Sequence, residues 1–263
     1  IPLQSILSFN SSMMSRIAFI TGATSGIGAA TARLLARNNF KLILCGRRAE
    51  RLEELKVELS AFTQVAVLVF DVRDSAAVNQ AIASLGEEWR DIDVLINNAG
   101  NAHGLAPIQS GSLEDWDAMM DINVKGLLYV SKEIIPGMTN RQNGHIINIG
   151  SIAGKEVYPN GNVYCASKFA VDALTKGMRM DLNPFGIKVT GIHPGLVDTE
   201  FSLVRFKGDA EKAAQVYKGI KPLTGQDIAD VILYTLQAPP HVVLADITIF
   251  PAAQGSSTLV HRR

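Results

Sequence analysis

Ile17-Ala18-Phe19-Ile20, then at once Thr21-Gly22-Ala23-Thr24-Ser25-Gly26-Ile27-Gly28, then the helix-forming run Ala29 to Arg37, is the stretch that decides the fold. An apolar strand, a glycine-rich turn and a helix in that order open a βαβ unit. Glycines in such a turn let the backbone approach a pyrophosphate, and the helix N-terminus offers unpaired amides and a favourable dipole to the anion. The spacing departs from the G-x-G-x-x-G form, so the turn taken alone leaves a purely structural role open. Two more segments follow strands in the same way: Asn97-Asn98-Ala99-Gly100 after Val94-Leu95-Ile96, and Pro194-Gly195-Leu196-Val197-Asp198-Thr199 after Val189 to His193. All three fall at carboxyl ends of strands, where an open parallel sheet binds its ligands.

Outward from the turn, apolar strands and amphipathic segments alternate through Lys41 to Cys45, Leu52 to Phe62, Val65 to Phe70, Ser75 to Glu88 and Val94 to Ile96. The spacing predicts one helix from about Leu113 toward Met138, a strand Gly144 to Ile149, and a helix carrying Tyr164 to about Leu182, before Pro184. Lys188 to His193 follows as a strand, then a helix from about Gln226 to Leu236 and a last strand near Ile247 to Phe250. Such alternation argues an α/β fold, a doubly wound parallel sheet with helices on both faces. The 263 residues fit a single domain, and 47% hydrophobic residues supply its core. The polar tail from Ala252 to Arg263 has no strong periodicity and reads as loosely held or as wrapping a neighbouring subunit.

With 25 basic and 25 acidic side chains the formal charge is zero, which leaves no electrostatic footprint for nucleic acid or an anionic membrane. The expected partners are a small-molecule substrate and sister subunits. Cys45 and Cys165 are too few for a disulfide framework, and the five histidines are scattered rather than grouped at metal-ligand spacing, so a reducing compartment and no metal are expected. Ile1 to Ser12 lack the basic start of a secretory signal, and no apolar run reaches membrane-spanning length, which points to the cytoplasm. Met13-Met14 just before the first strand, with Ile1 at the start, marks residues 1–13 as an N-terminal extension or an expression remnant and 14–263 as the domain.

The candidate chemistry lies in Ser151 and in Tyr164-Cys165-Ala166-Ser167-Lys168. Tyr164 and Lys168 are four apart and share one face of a helix. A phenol beside a cation loses its proton more easily than a free tyrosine, which brings it toward acid/base work near neutral pH. Tyr-x-x-x-Lys is common by chance, and it is the glycine turn and the other strand-end segments that give it weight.

In these four elements the chain resembles the short-chain dehydrogenase/reductases, from about Arg16 to Pro251. The resemblance implies a seven-stranded, mostly parallel Rossmann sheet in one domain, and a homotetramer or a dimer. It implies a catalytic tetrad of Asn123, Ser151, Tyr164 and Lys168: Tyr164 moves the proton, Ser151 orients the carbonyl oxygen, Lys168 holds the nicotinamide ribose and lowers the phenol's pKa, and Asn123 positions a relay water. It also implies cofactor contacts from Gly22, Thr24, Ser25, Gly26, Ile27 and Gly28, from Asn98, Ala99 and Gly100, and from Tyr164 and Lys168. Pro194, Gly195, Val197 and Thr199 complete them. Asp71-Val72 is similar to the family's adenine-binding pair, although Asp71 is equally placed to cap the helix that follows.

The cofactor choice is read after the second strand. An NAD site presents a carboxylate there to the ribose 2′-hydroxyl, whereas this strand ends Cys45-Gly46-Arg47-Arg48. Guanidinium groups suit a 2′-phosphate, so NADP(H) is expected, with Arg47 or Arg48 on the phosphate; the alternative is that both are solvated charges opening the next helix. Residues 198–222 form the expected substrate loop. Within it Thr199-Glu200-Phe201-Ser202 and Arg205-Phe206-Lys207-Gly208-Asp209 resemble the NADP-dependent 3-hydroxy acid dehydrogenases, the serine, allo-threonine and malonic semialdehyde branch. A 3-hydroxy acid needs a cation near Tyr164, and Arg205 is the candidate carboxylate clamp with Lys207 in reserve, a solvated surface arginine being the alternative. Ser151 and Tyr164 would hold the reacting oxygen. A sulfonate carries the same charge at similar reach, so reduction of another small aldehyde or ketone, such as a sulfonated aldehyde, stays open.

Overall fold

Short runs of Ile, Val and Leu bounded by glycine or polar turns form strands here because β-branched side chains fit a pleated surface buried on both faces. The computed structural model describes residues 15–263, and the expected extension at 1–13 lies outside them. The chain runs β1 (Arg16–Thr21), α1 (Gly26–Ala36), β2 (Phe40–Gly46), α2 (Ala49–Leu59), β3 (Val65–Val69), α3 (Ser75–Ala83) and β4 (Ile92–Asn97). Next come α4 (Leu113–Met120), α5 (Leu127–Arg141), β5 (His145–Ile149), α6 (Asn162–Leu182) and β6 (Lys188–Pro194). The chain ends with β7 (Val197–Asp198), α7 (Phe201–Arg205), α8 (Ala210–Gln215), β8 (Leu223–Thr224), α9 (Gly225–Gln237) and β9 (Asp246–Ile249).

Seven strands form one sheet in the order β3-β2-β1-β4-β5-β6-β9, and every ladder in it is parallel. The order reverses between β1 and β4, so the crevice of the fold opens where these two strands end. Alternate residues enter opposite cores. Ala18 and Ile20 of β1 face α1 and α9 through Ala32, Leu35, Ile228 and Ile232. Ile17 and Phe19 face the other layer, with Val78 of α3, Val130 and Ile134 of α5 and Leu182 of α6. Each fully buried aliphatic side chain contributes about 1.5–3 kcal/mol, so the two cores hold the sheet from both faces.

Three segments differ from the sequence reading. The helix expected to run unbroken from Leu113 is interrupted by a π-helical turn, Asp121–Gly126, where Gly126 lies so close to Val72 that a Cβ would stand 2.7 Å from its Cγ2. The helix expected to reach Glu88 stops at Ala83, where Ser84 turns its hydroxyl back onto the Ala81 carbonyl and a short 3₁₀ turn, Glu87–Trp89, follows. The tail is docked on its own chain: Ser257 N donates to Glu156 (2.7 Å), Arg263 N to Gly219 O (3.0 Å), and Arg262 to the Val216 and Lys218 carbonyls. Backbone bonds of this kind leave no hydrophobic period for a sequence to display.

His145 on β5 is 4% exposed and pairs with Thr190 Oγ1 across the ladder at 2.9 Å. Burial, with minor repulsion from Lys188 and Arg16, lowers its pKa from 6.5 to about 3. The unfolded chain therefore binds a proton that the folded protein refuses, so stability falls as pH drops from about 6.5 toward 3. Relative to His145→Gln, the wild type should lose roughly 1–2 kcal/mol between pH 7 and pH 5 in urea unfolding. Parallel curves for the two proteins over that range would contradict this account.

Candidate active site

The glycine turn is closed by contacts that no other residue allows. Gly22 and Gly26 have φ of +65° and +53°. A Cβ on Gly28 would lie 2.4 Å from Gly22 O and 2.5 Å from Asn98 Nδ2. Thr21 Oγ1 accepts from the amides of Asn98 (3.0 Å) and Ala99 (2.9 Å), and Asn98 Nδ2 donates to the carbonyls of Thr21 and Gly22. The ends of β1 and β4 are thus sewn together at the switch point. Ser25 makes no side-chain cap on α1, which leaves the first-turn amides to a ligand.

A cavity of about 470 Å³ opens on this junction. Of the residues expected to contact a cofactor, Gly22, Thr24, Ser25, Gly26, Ile27, Arg47, Arg48, Asp71, Val72, Asn98, Ala99 and Gly100 line it, and so do Tyr164, Lys168, Pro194, Gly195, Val197 and Thr199. Ser151 and Arg205 line it too. Gly28 and Asn123 do not. Gly28 packs behind the turn, and Asn123, 2% exposed in the π-helical turn, bonds Asn101 and Ser167 instead. Asn123 Oδ1 accepts from Asn101 N at 2.9 Å, while Nδ2 donates to Asn101 O at 2.8 Å and Ser167 Oγ at 3.0 Å. Both amide hydrogens are engaged within the protein.

At the cavity's inner end, Ser151 stands near the Tyr164 phenol and caps the short turn after it through Ala153 N. Lys168 donates to Ile149 O at 3.0 Å, and burial lowers its pKa to about 8. The phenol behaves differently from the sequence expectation. Burial first, and Tyr158 second, push its pKa above the ordinary value, against opposing pulls from Arg205 and Ser151. Desolvation of a fully buried phenolate outweighs a neighbouring cation. Arg205 reaches this end from α7, its guanidinium 5.0 Å from the Tyr164 ring centre, 5.5 Å from Phe201 and 5.6 Å from Tyr158. It donates to Tyr158 Oη at 2.5 Å, and its Nε is buried without a partner. Lys207, the reserve cation, turns away to pair with Asp115 at 3.0 Å.

At the cavity's outer end Arg48 donates to Thr24 Oγ1 and Ser25 Oγ, while Arg47 and Arg73 flank Asp71 at 3.6 and 2.7 Å. Asp71 does not cap α3; Asp74 does. Behind the inner end, Lys155 Nζ bridges Asp172 (2.7 Å) and Asp246 (2.5 Å), and His193 Nε2 approaches Asp246 at 3.4 Å. The histidine that looks isolated in sequence thus lies beside two carboxylates without a hydrogen bond to either, with the Lys155 ammonium already in the cation's place. This ties the turn after Ser151 to α6, which carries Tyr164. Tyr158 and Asn101 line the cavity without having been expected, since single residues in loops carry no periodic signal; Glu200 and Phe201 line it from the segment expected as the substrate loop.

A nucleotide-sized crevice at the switch point, ending on a phenol, a hydroxyl and an ammonium, defines a class of protein, the oxidoreductases built on a doubly wound sheet. The chain belongs to the short chain dehydrogenase family, whose profile matches residues 16–209. It is 47% identical over 248 residues to the NADP-dependent 3-hydroxy acid dehydrogenase YdfG of Salmonella typhi, covering 94% of this chain and 99% of that one. It is 42% identical over 242 residues to serine 3-dehydrogenase of Agrobacterium fabrum, covering 92% and 96%. Among solved structures, a closed form of serine dehydrogenase complexed with NADP+ superposes with a TM-score of 0.88 at 44% identity over 94% of this chain and 100% of that one. Among the described residues, no helix is long and apolar enough to cross a membrane.

The lowered pKa of Lys168 has a thermodynamic sign. Below about pH 8 the folded protein holds a buried ammonium at a cost, and the cost disappears as pH rises from about 8 toward 10.5. Lys168→Met should therefore gain stability over wild type by roughly 2–3 kcal/mol near neutrality, less the lost Ile149 bond, and the gain should shrink at about pH 9.5 in urea unfolding. A pH-independent difference would show that burial does not govern this lysine.

Proposed function

We propose that the protein is an NADP(H)-dependent dehydrogenase interconverting a small 3-hydroxy acid, of the serine, allo-threonine or 3-hydroxypropionate type, with its semialdehyde. The observation that carries the substrate class is Arg205, a guanidinium against the Tyr164 ring with a buried, unpartnered Nε. A carboxylate near the reacting carbon satisfies that donor in a bidentate pair, whereas an uncharged substrate leaves it unpaired.

The residues of the outer cavity fit NADP(H). Gly22 and Gly26 leave a cradle where the backbone can meet a pyrophosphate, Ser25 leaves the α1 amides open, and β2 is followed by Arg47 and Arg48 rather than by a carboxylate for a 2′-hydroxyl. The nicotinamide, when bound, supplies or accepts the hydride. Everything else is done by the chain. Tyr164 holds a proton at its phenol oxygen and gives it to the developing alkoxide in reduction; its raised pKa keeps that proton in place at neutral pH. Ser151, near that phenol, would hydrogen-bond the substrate's carbonyl oxygen and align it with Tyr164. Lys168 would hold the ribose hydroxyls, while the pull against the burial that opposes a phenolate comes from Arg205 and Ser151. Asn123 is a positioning residue that fixes Asn101 and Ser167. The proposal takes residues 14–263 as one catalytic unit and extends to a cytoplasmic homotetramer, supported by the exposed apolar side chains Leu128, Phe169 and Met180 on α5 and α6.

NADPH formation followed at 340 nm with L-serine, L-allo-threonine and 3-hydroxypropionate tests the substrate class, wild type beside Arg205→Ala, with light scattering reading the oligomer in both. Activity on these acids should fall at least about tenfold in kcat/KM when Arg205 is lost, mainly through KM, as for a charged pair removed from a buried site. No activity on any of them, with reduction of uncharged or sulfonated carbonyls intact, would overturn it.

A further inference from the structure

Glu200 has no part in the proposed chemistry, yet it occupies a decisive place. It stands just before α7, on the segment that carries Arg205, and lines the outer cavity. Its Oε2 accepts from Arg48 Nη1 at 2.8 Å and its Oε1 from Arg51 Nη1 at 2.6 Å. Arg48 is also the guanidinium that touches Thr24 and Ser25 at the mouth of the glycine turn. A carboxylate from 152 residues downstream of Arg48 therefore sits on two cations at the start of α2. The neighbouring guanidiniums have other partners: Arg33 pairs with Glu58, and Arg47 and Arg73 with Asp71.

We infer that Glu200 is a cofactor-selectivity residue, an internal carboxylate that competes with the 2′-phosphate of NADP(H) for Arg48 and Arg51. The inference rests on the reading that Arg48 receives that phosphate. A phosphate monoester carries up to two negative charges, so binding it there means giving up two ion pairs and bringing like charges together. NAD(H), with a hydroxyl in that position, neither displaces the carboxylate nor meets its charge. The Arg48 hydrogen bond holds Glu200 below the usual carboxylate range, with Arg51 adding to the effect, so the competitor is charged throughout the neutral range. Once displaced, it has room: Glu200 also lines a second, open cavity of about 540 Å³ beside Arg33 and Glu54. Arg48, Arg51 and Glu200 are 41%, 45% and 39% exposed, so solvent screens the pairing and the effect is modest.

Binding of NADPH and of NADH, titrated by tryptophan fluorescence without substrate, tests this with wild type, Glu200→Gln and Arg48→Ala. Glu200→Gln should tighten NADPH about three- to tenfold and change NADH less than about twofold, in line with one or two half-exposed ion pairs. The pair 2′,5′-ADP and 5′-AMP should repeat the contrast with no nicotinamide present. Weaker or unchanged NADPH binding in Glu200→Gln, or an equal gain for both cofactors, overturns the inference. Arg48→Ala reports separately on the phosphate seat: it should weaken NADPH about tenfold or more and spare NADH, and unchanged NADPH affinity there removes the seat and the inference with it.

Discussion

The site depends on a backbone approach, the packing of Gly28 against Gly22 O and Asn98 Nδ2 at distances that exclude any side chain. Because that gap is closed, Asn98 can donate to two carbonyls of the turn, and Thr21 can receive the amides that follow β4. The glycine turn and the Asn97–Gly100 segment then move as one piece. From Asn97 the fixation continues through Nδ2 to Asn148 Oδ1 (2.9 Å), and from Asn148 to Thr175 on α6 (2.9 Å). A line of buried amides thus ties the cofactor turn to the helix bearing Tyr164 and Lys168. Buried polar chains of this kind fix geometry because each unsatisfied member would cost about 1–3 kcal/mol.

Burial also governs the chemistry at the inner end. The same dry packing raises the Tyr164 phenol, lowers the Lys168 ammonium and leaves Arg205 Nε without a partner. Each group is held in a state that a correctly charged ligand improves. The phenol keeps a proton that a developing alkoxide can take, and the guanidinium keeps a donor that a carboxylate can meet. Lys155, pinned between Asp172 and Asp246, joins the turn after Ser151 to α6 and β9, so the hydroxyl and the phenol are set by one frame.

Much of this was legible in the sequence, for identifiable reasons. The strands and the helices on both faces follow from alternating apolar runs, and the glycine turn and Tyr164/Lys168 spacing declare themselves locally. What escaped depends on distant contacts. The π-helical turn at Asn123 arises where Gly126 meets Val72, Tyr158 joins the site through its place on the cavity wall beside Arg205 and Tyr164, and Glu200 matters because it pairs with Arg48 and Arg51. The expectation that Lys168 would lower the phenol's pKa missed burial, which no local spacing encodes.

In the proposed mechanism Tyr164 moves the proton and does little else for binding. The direct measurement is single-turnover NADPH oxidation with a semialdehyde substrate beside NADPH affinity, in Tyr164→Phe. Affinity should stay within about twofold of wild type while the rate falls about 10²-fold or more, the contribution of a positioned general acid. A variant that turns over at the wild-type rate would contradict the account, and so would one that loses rate only through loss of NADPH binding.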